Sequence, residues 1–297
     1  MSPSSSQSTS CDPTASASFS SEQNLLPLIV EPAQLLPLLD HPDIVIVDVP
    51  LKAESHASHV PGARLLDFKR LVGSNEDEIP GVPSPQALSD IMSELGITRD
   101  SHVVAYDDEG GGWAGRLLWT LALLGHTRFS YLNGGLHAWQ GEGLALSEAA
   151  SEWQASEYHA AYVDTSVMAT REDILERLST EAPEEKVVVW DARSLEEYRG
   201  EKGQNARLGH IPGAVHFEWT EAMDRERDLR IRDYAELITE LGARGISPEQ
   251  HVVTHCQSHH RSGLTWLVGR ALGFEDIRAY PGSWKEWGNR EDTPIER

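Results

Sequence analysis

Four short runs of apolar residues punctuate the chain: Ile44-Val45-Ile46-Val47-Asp48, Val103-Val104-Ala105-Tyr106-Asp107, Val187-Val188-Val189-Trp190-Asp191 and Val252-Val253-Thr254-His255-Cys256. Each is rich in Val or Ile and poor in polar residues until its end. That pattern predicts strands buried on both faces, as in a parallel sheet. Segments with helical spacing and capping signals separate them. Ser84 precedes Pro85 at a first helical position, and Gly96 follows the last turn. Asp233 caps a second predicted helix over residues 234–241, with Gly242 as its terminator. Strand–helix alternation of this kind predicts α/β domains, doubly wound parallel sheets with helices on both faces. Ligand sites in such sheets lie beyond the carboxyl ends of the strands.

The pattern occurs twice. His59-Val60-Pro61-Gly62-Ala63 returns as His210-Ile211-Pro212-Gly213-Ala214, and the stretch from Gly134 to Trp139 returns from Gly282 to Trp287. Leu95-Gly96-Ile97-Thr98 before the second apolar run matches Arg244-Gly245-Ile246-Ser247 before the fourth. Order and spacing are kept, which indicates a tandem duplication. One copy is assigned to residues 25–144 and the other to 169–297. Residues 145–168 lack clear periodicity and read as a linker, with Trp153 and Tyr158 as candidate anchors.

The fourth run ends at a cysteine. Gln257, Ser258, His259 and His260 form a short loop, and Arg261 opens the next helix. A thiol so placed faces the free N–H groups and positive dipole end of that helix. With basic neighbours, such a setting lowers a cysteine pKa from roughly 8.5 to 7 or below and makes the thiolate a nucleophile. Cys256 is therefore the candidate catalytic residue, and Gln257 to Arg261 are the candidate substrate-binding loop. Arg261, with His259 and His260 partly charged, is expected to attract anions. His255 is expected to point into the fold. Asp191 and Arg193 are supporting positions expected to pair with each other, and Trp219 forms either a pocket wall or core. In the first copy Asp107 stands where Cys256 stands in the second, so that copy is expected to be non-catalytic.

Composition narrows the partners. With 25 basic and 47 acidic residues the formal charge is −22. A field of that sign repels nucleic acid and anionic membrane surfaces. No apolar run approaches the ~20 residues of a membrane span. The first 22 residues are rich in Ser and Thr and lack both a basic and an apolar region, so no secretory signal is expected. Residues 1–24 predict a disordered tail in which Cys11 is incidental. Two cysteines imply no disulfide framework and a reducing, cytoplasmic setting.

Taken together, the duplicated unit, Asp191-x-Arg193, His210 to Ala214 and the Cys256 loop resemble the two-domain rhodaneses, a sulfurtransferase family. The resemblance spans nearly everything after the tail. It implies that Cys256 takes sulfane sulfur as a persulfide and passes it to cyanide or another thiophilic acceptor by double displacement, without metal or organic cofactor. The Cys-Gln-x-His-His-Arg loop resembles that of the Azotobacter-type rhodaneses and favours thiosulfate over 3-mercaptopyruvate as donor. Glu197 departs from the family, which often places an anion-holding arginine near this position; Arg193, Arg199 or Arg207 are candidate replacements. A monomer is expected.

Other chemistries fit less well. Rhodanese-fold cysteine phosphatases and arsenate reductases need five residues between Cys and Arg to cradle an oxyanion, and this loop has four. A zinc site would require adjacent His259 and His260 to converge with His255 and Cys256. Gly110-x-Gly112-x-x-Gly115 matches a dinucleotide fingerprint, but Asp107, Asp108 and Glu109 just before it would repel a pyrophosphate. A non-catalytic sulfur-binding module is the non-enzymatic alternative.

Overall fold

The first and third of these runs, with the second up to Tyr106 and the fourth up to His255, become the central strands of two sheets. The computed structural model describes residues 24–52, 56–180 and 187–297. The expected tail, Cys11 included, lies outside the described residues apart from Asn24. In the first half, β1 (Ile29–Val30), β2 (Ile44–Asp48), β3 (Arg64–Leu65), β4 (His102–Tyr106) and β5 (Phe129–Leu132) form a parallel sheet in the order β1-β5-β4-β2-β3. In the second half, β6 (Val187–Asp191), β7 (Val215–His216), β10 (His251–His255) and β11 (Ile277–Ala279) form a parallel sheet in the order β11-β10-β6-β7. A single bridge from Met168 to Ala279 stands where β1 pairs with β5 in the first half. The two sheets thus share one strand order, as a duplication requires.

Alternation within the strands explains the layers. Ile44 and Ile46 of β2 join a core with Trp139 and Leu35, whereas Val45 and Val47 face a second core with Leu88, Ile91 and Leu117. That second core runs without a break into the other half, where it includes Val252, Leu264 and Trp266. The apolar strands are therefore covered on both faces, consistent with their lack of polar positions.

Two helices meet at the junction of the halves: α3 (Gly112–Leu123) follows β4, and α8 (Arg261–Ala271) follows β10. They cross at Gly115 and Gly263. A Cβ on Gly263 would lie 2.5 Å from the amide nitrogen of Arg116, and one on Gly115 would lie 2.6 Å from the carbonyl carbon of Gly263. Only the absence of side chains allows this approach. An antiparallel hairpin, β8 (Met223–Asp224) and β9 (Arg230–Ile231), ties the halves further. Its Arg230 pairs with Glu31 at 2.9 Å and with Glu142 at 2.5 Å, both in the first half.

Ser84 caps α2 (Pro85–Glu94) through the Ala87 amide, and Gly96 follows with φ +64°. Asp233 caps α7 (Tyr234–Ala243) through the amides of Ala235 and Glu236. This helix continues past Gly242. The residue that turns the chain is Gly245, at φ +91°, because the left-handed conformation falls just after the Arg244 cap. Residues 145–168 run along the first half: the Trp153 indole donates to the Glu94 carbonyl at 2.7 Å, and Tyr158 is buried beneath the Arg99 guanidinium. Among the described residues no helix is long and apolar enough to cross a membrane.

Candidate active site

Cys256 sits immediately after β10, with its residue fully buried. Its backbone is fixed from both sides: the amide donates to the Ser283 hydroxyl, and the carbonyl accepts from the Trp284 amide at 3.0 Å. The Ser262 hydroxyl and the amides of Ser258 and Ser262 act on the sulfur and favour its anionic form. Burial pushes the thiol pKa up, but the Arg261 charge, the Ser262 hydroxyl and these amides outweigh it. The net direction is down, so the thiolate is favoured.

The first half repeats this nest with a permanent occupant. Asp107 follows β4 as Cys256 follows β10, and its carboxylate accepts five amides: Glu109, Gly110 and Gly111 on one oxygen, Trp113 and Ala114 on the other, at 2.7–3.2 Å. Burial raises the Asp107 pKa and the amides oppose it. The amides two and six residues beyond the anchor serve both copies. They bind carboxylate oxygens after Asp107 and lower the thiol pKa after Cys256. The loop is thus a cradle for one compact anion. The fingerprint at Gly110 to Gly115 lies in this filled nest, where the Asp107 carboxylate already takes the amides of Gly110, Gly111, Trp113 and Ala114.

The loop side chains diverge. His259 is fully buried at φ +57°, with Nδ1 2.8 Å from the Ser262 hydroxyl and its ring edge-on to Trp119. His260 stacks on Trp113 of the first half, with centroids 4.4 Å apart. The expectation that these two rings carry partial positive charge is corrected. Burial first, then the neighbouring cations, lowers His260 to about 3 and drives His259 well below the ordinary histidine value. Both are neutral. His255 faces Asp191 at 3.5 Å, and burial lowers its pKa to about 4, so it too is neutral. Convergence of these imidazoles on one point, as a zinc site requires, is not what the backbone gives. Gln257 turns outward and donates to the Asn205 side chain at 2.9 Å. It borders an open cavity with Glu197, Lys202, Gly203 and Gln204.

Arg261 is not free to clasp an oxyanion. Its guanidinium makes a bidentate pair with Glu197 at 2.6 and 2.9 Å, which answers why an acid stands at that position. Two of the three candidate replacement arginines are committed elsewhere. Arg193 is bidentate to Asp191, donates to the Gly209 carbonyl and lies over the Trp284 ring. Arg207 donates to the carbonyls of Thr293 and Trp287. Asp191 and Arg193 therefore brace the loops behind Cys256. Trp219 is half-buried, packs against the core and stands 6.1 Å from the His260 ring.

Two further residues come from the first half. Glu109 lies 3.7 Å from His260, and burial, followed by Asp107 and Asp108, raises its pKa to about 8. It is protonated at neutral pH and adds no repulsion. Arg116 reaches across the helix crossing to the His259 carbonyl at 3.2 Å. A signal for Arg116 was present in the sequence, since it is the single charge in the apolar stretch from Trp113 to Trp119.

A family model described as rhodanese-like domain matches residues 31–142 and again 170–290. The thiosulfate sulfurtransferase of Azotobacter vinelandii is 46% identical over 273 residues, covering 91% of this chain and 97% of that protein. The thiosulfate sulfurtransferase of Pseudomonas aeruginosa is 44% identical with the same coverage. The 3-mercaptopyruvate sulfurtransferase of Escherichia coli is 30% identical over 87% of this chain and 94% of its own. The crystal structure of SseA from Escherichia coli matches with a TM-score of 0.74 at 28% identity, covering 86% of this chain and 98% of that one. With two matched copies, conserved strand order and relatives along nearly its whole described length, the chain belongs to the rhodanese family.

Proposed function

We propose that the protein is a sulfurtransferase that moves sulfane sulfur from thiosulfate to cyanide or another thiophilic acceptor through a persulfide on Cys256. The observation that carries this reading is the paired nest. The same amide positions that hold a carboxylate in the first half surround a thiol in the second, so the second cradle is suited to an anion that comes and goes. The Cys256 thiolate attacks the outer sulfur of thiosulfate, the S–S bond breaks, and sulfite departs with its electron pair. The terminal sulfur of the resulting persulfide carries the negative charge among the loop amides. An acceptor such as cyanide then attacks that sulfur, and thiocyanate leaves as the thiolate re-forms.

Loop length and pairing both disfavour phosphate chemistry. The loop has four residues between Cys256 and Arg261, and Glu197 already occupies the guanidinium. The higher identity to thiosulfate sulfurtransferases supports thiosulfate over 3-mercaptopyruvate as donor. We read the first domain, with Asp107 in place of a cysteine, as non-catalytic, and residues 145–168 as the strap between domains. Because both walls of the site come from one chain, a monomer suffices. Intact mass after incubation with thiosulfate tests the reading. One added sulfur atom, removed by cyanide and absent in Cys256→Ala, is the expected result. Absence of an adduct with either thiosulfate or 3-mercaptopyruvate would overturn it in favour of a binding module.

A further inference from the structure

Arg116 belongs to the domain without a cysteine, yet its surroundings tie it to Cys256. Its residue is fully buried. One Nη donates to the His259 carbonyl at 3.2 Å; the other donates to the carbonyls of Leu71 and Gly81 at 2.8 and 2.6 Å. Its Nε has no partner, and among the described residues it forms no ion pair with a carboxylate. A buried guanidinium satisfied by neutral carbonyls alone is a costly arrangement. Burial indeed lowers its pKa, to about 9, and the charge that opposes this is that of Cys256.

The loop geometry points the same way. His259, whose carbonyl Arg116 holds, is a non-glycine residue in the left-handed region, at φ +57°. Such a conformation persists where surrounding contacts enforce it. Trp119, one turn along α3 from Arg116, supports both partners: it lies 5.1 Å beneath the guanidinium and meets the His259 ring edge-on at 4.3 Å. Arg261, whose charge lowers the Cys256 pKa, shares its guanidinium with Glu197, whereas Arg116 has no carboxylate partner among the described residues.

We propose that Arg116 is a positioning residue supplied by the first domain: it clamps the His259 carbonyl, so that the loop amides face the sulfur, and it adds behind that loop a positive charge paired with no carboxylate among the described residues. The first domain is then part of the electrostatics of the site. This rests on the reading of Cys256 as the sulfur carrier. The other charged or titratable groups around the thiol are Arg261 with Glu197, His255 with Asp191 and Arg193, the neutral rings of His259 and His260, and Glu109.

The test is the pH dependence of Cys256 alkylation by iodoacetamide in the full-length protein, with circular dichroism to establish folding. Cys11 is replaced by serine throughout. Arg116→Met is expected to raise the alkylation midpoint by about one pH unit or more and to slow thiosulfate:cyanide turnover at least tenfold. Arg116→Lys, which keeps the charge, is expected to bring the midpoint most of the way back. A folded Arg116→Met protein with an unmoved midpoint would overturn the proposal whatever its activity. If Arg116→Met does not fold, the Arg116 Nε resonance of the wild-type protein is followed by NMR over the same range. Movement at the alkylation midpoint supports the coupling; a resonance that ignores it overturns it. Failure of the sulfurtransferase reading shows separately, as a wild-type protein that takes no sulfur from thiosulfate yet alkylates normally.

Discussion

Placing a methyl group at Gly263 tests whether the crossing of α3 and α8 sets the spacing between the domains. The new Cβ would meet the Arg116 nitrogen at 2.5 Å and the Gly115 carbonyl carbon at 2.9 Å, both backbone atoms that have no rotamer to escape through. Ordinary contact begins near 3.4 Å, so the helices must part by roughly 0.9 Å. Overpacking of this kind costs about 1–3 kcal/mol, and the gain in helix propensity from Gly to Ala returns up to ~1 kcal/mol. Gly263→Ala should therefore destabilise the protein by about 1–2 kcal/mol. The same displacement stretches the Arg116–His259 bond, now 3.2 Å, beyond useful length, so Cys256 should also alkylate more slowly at pH 7. Gly115→Ala presses on the same gap from the other side, at 2.6 Å. Once one methyl has parted the helices the second is accommodated more easily, so the double variant should fall short of the sum by about 1 kcal/mol. Urea denaturation of the four proteins in the cycle measures this. Full stability in Gly263→Ala, or strict additivity in the double variant, would refute the close crossing as the determinant.

Three other outcomes are expected. Acid should destabilise the fold well above the carboxylate range: His102 and His255, lowered to about 4, and His260, lowered to about 3, fit the fold as neutral rings. The unfolded chain takes these protons first, so their contribution is complete above pH ~6.5 and is lost as pH falls through 4 toward 3, whereas Asp191, lowered to about 2, contributes stability present above ~3.8 and lost toward 2; a urea midpoint unchanged between pH 7.5 and 4.5 would contradict this. Glu197→Gln keeps a hydrogen-bond acceptor for Arg261 but removes the opposing charge, so the Cys256 alkylation midpoint should drop by about half a pH unit and the KM for thiosulfate should fall several-fold, with an unmoved or higher midpoint counting against the pairing. Asp107→Ala strips five amides of their acceptor and should cost about 1–3 kcal/mol or more, read by chemical denaturation; near-neutral stability would mean the nest does not depend on its occupant.

Much of this architecture is legible in the amino-acid sequence. The central strands could be read because burial on both faces removes polar residues from them, and the duplication because equivalent turns keep equivalent spacing. Cys256 could be located because a strand end and a helix start are both encoded locally. The remainder depends on what the fold brings together. Arg261 reads as a free cation in sequence; its partner Glu197 lies 64 residues away and reaches it through packing. His259 and His260 read as basic, yet their charge depends on water access, which no neighbour in the chain reports. Arg116 stands in the other copy, and its single charge in an apolar helix gave a hint without a destination. Short elements were also missed. The hairpin of β8 and β9 is too brief to show a period, and its role comes from Arg230 meeting acids of the other half.

The carboxylate of Asp107 also separates the histories of the two loops during turnover. One cradle is filled when the chain folds and stays filled, so its amides keep one set of bonds for the life of the molecule. Its twin must tolerate a guest that arrives, waits and departs, and its hydrogen bonds are remade with each cycle. Amide exchange recorded with and without a sulfur donor should thus change after Cys256 and stay constant after Asp107. One polypeptide would supply both the experiment and its own internal reference.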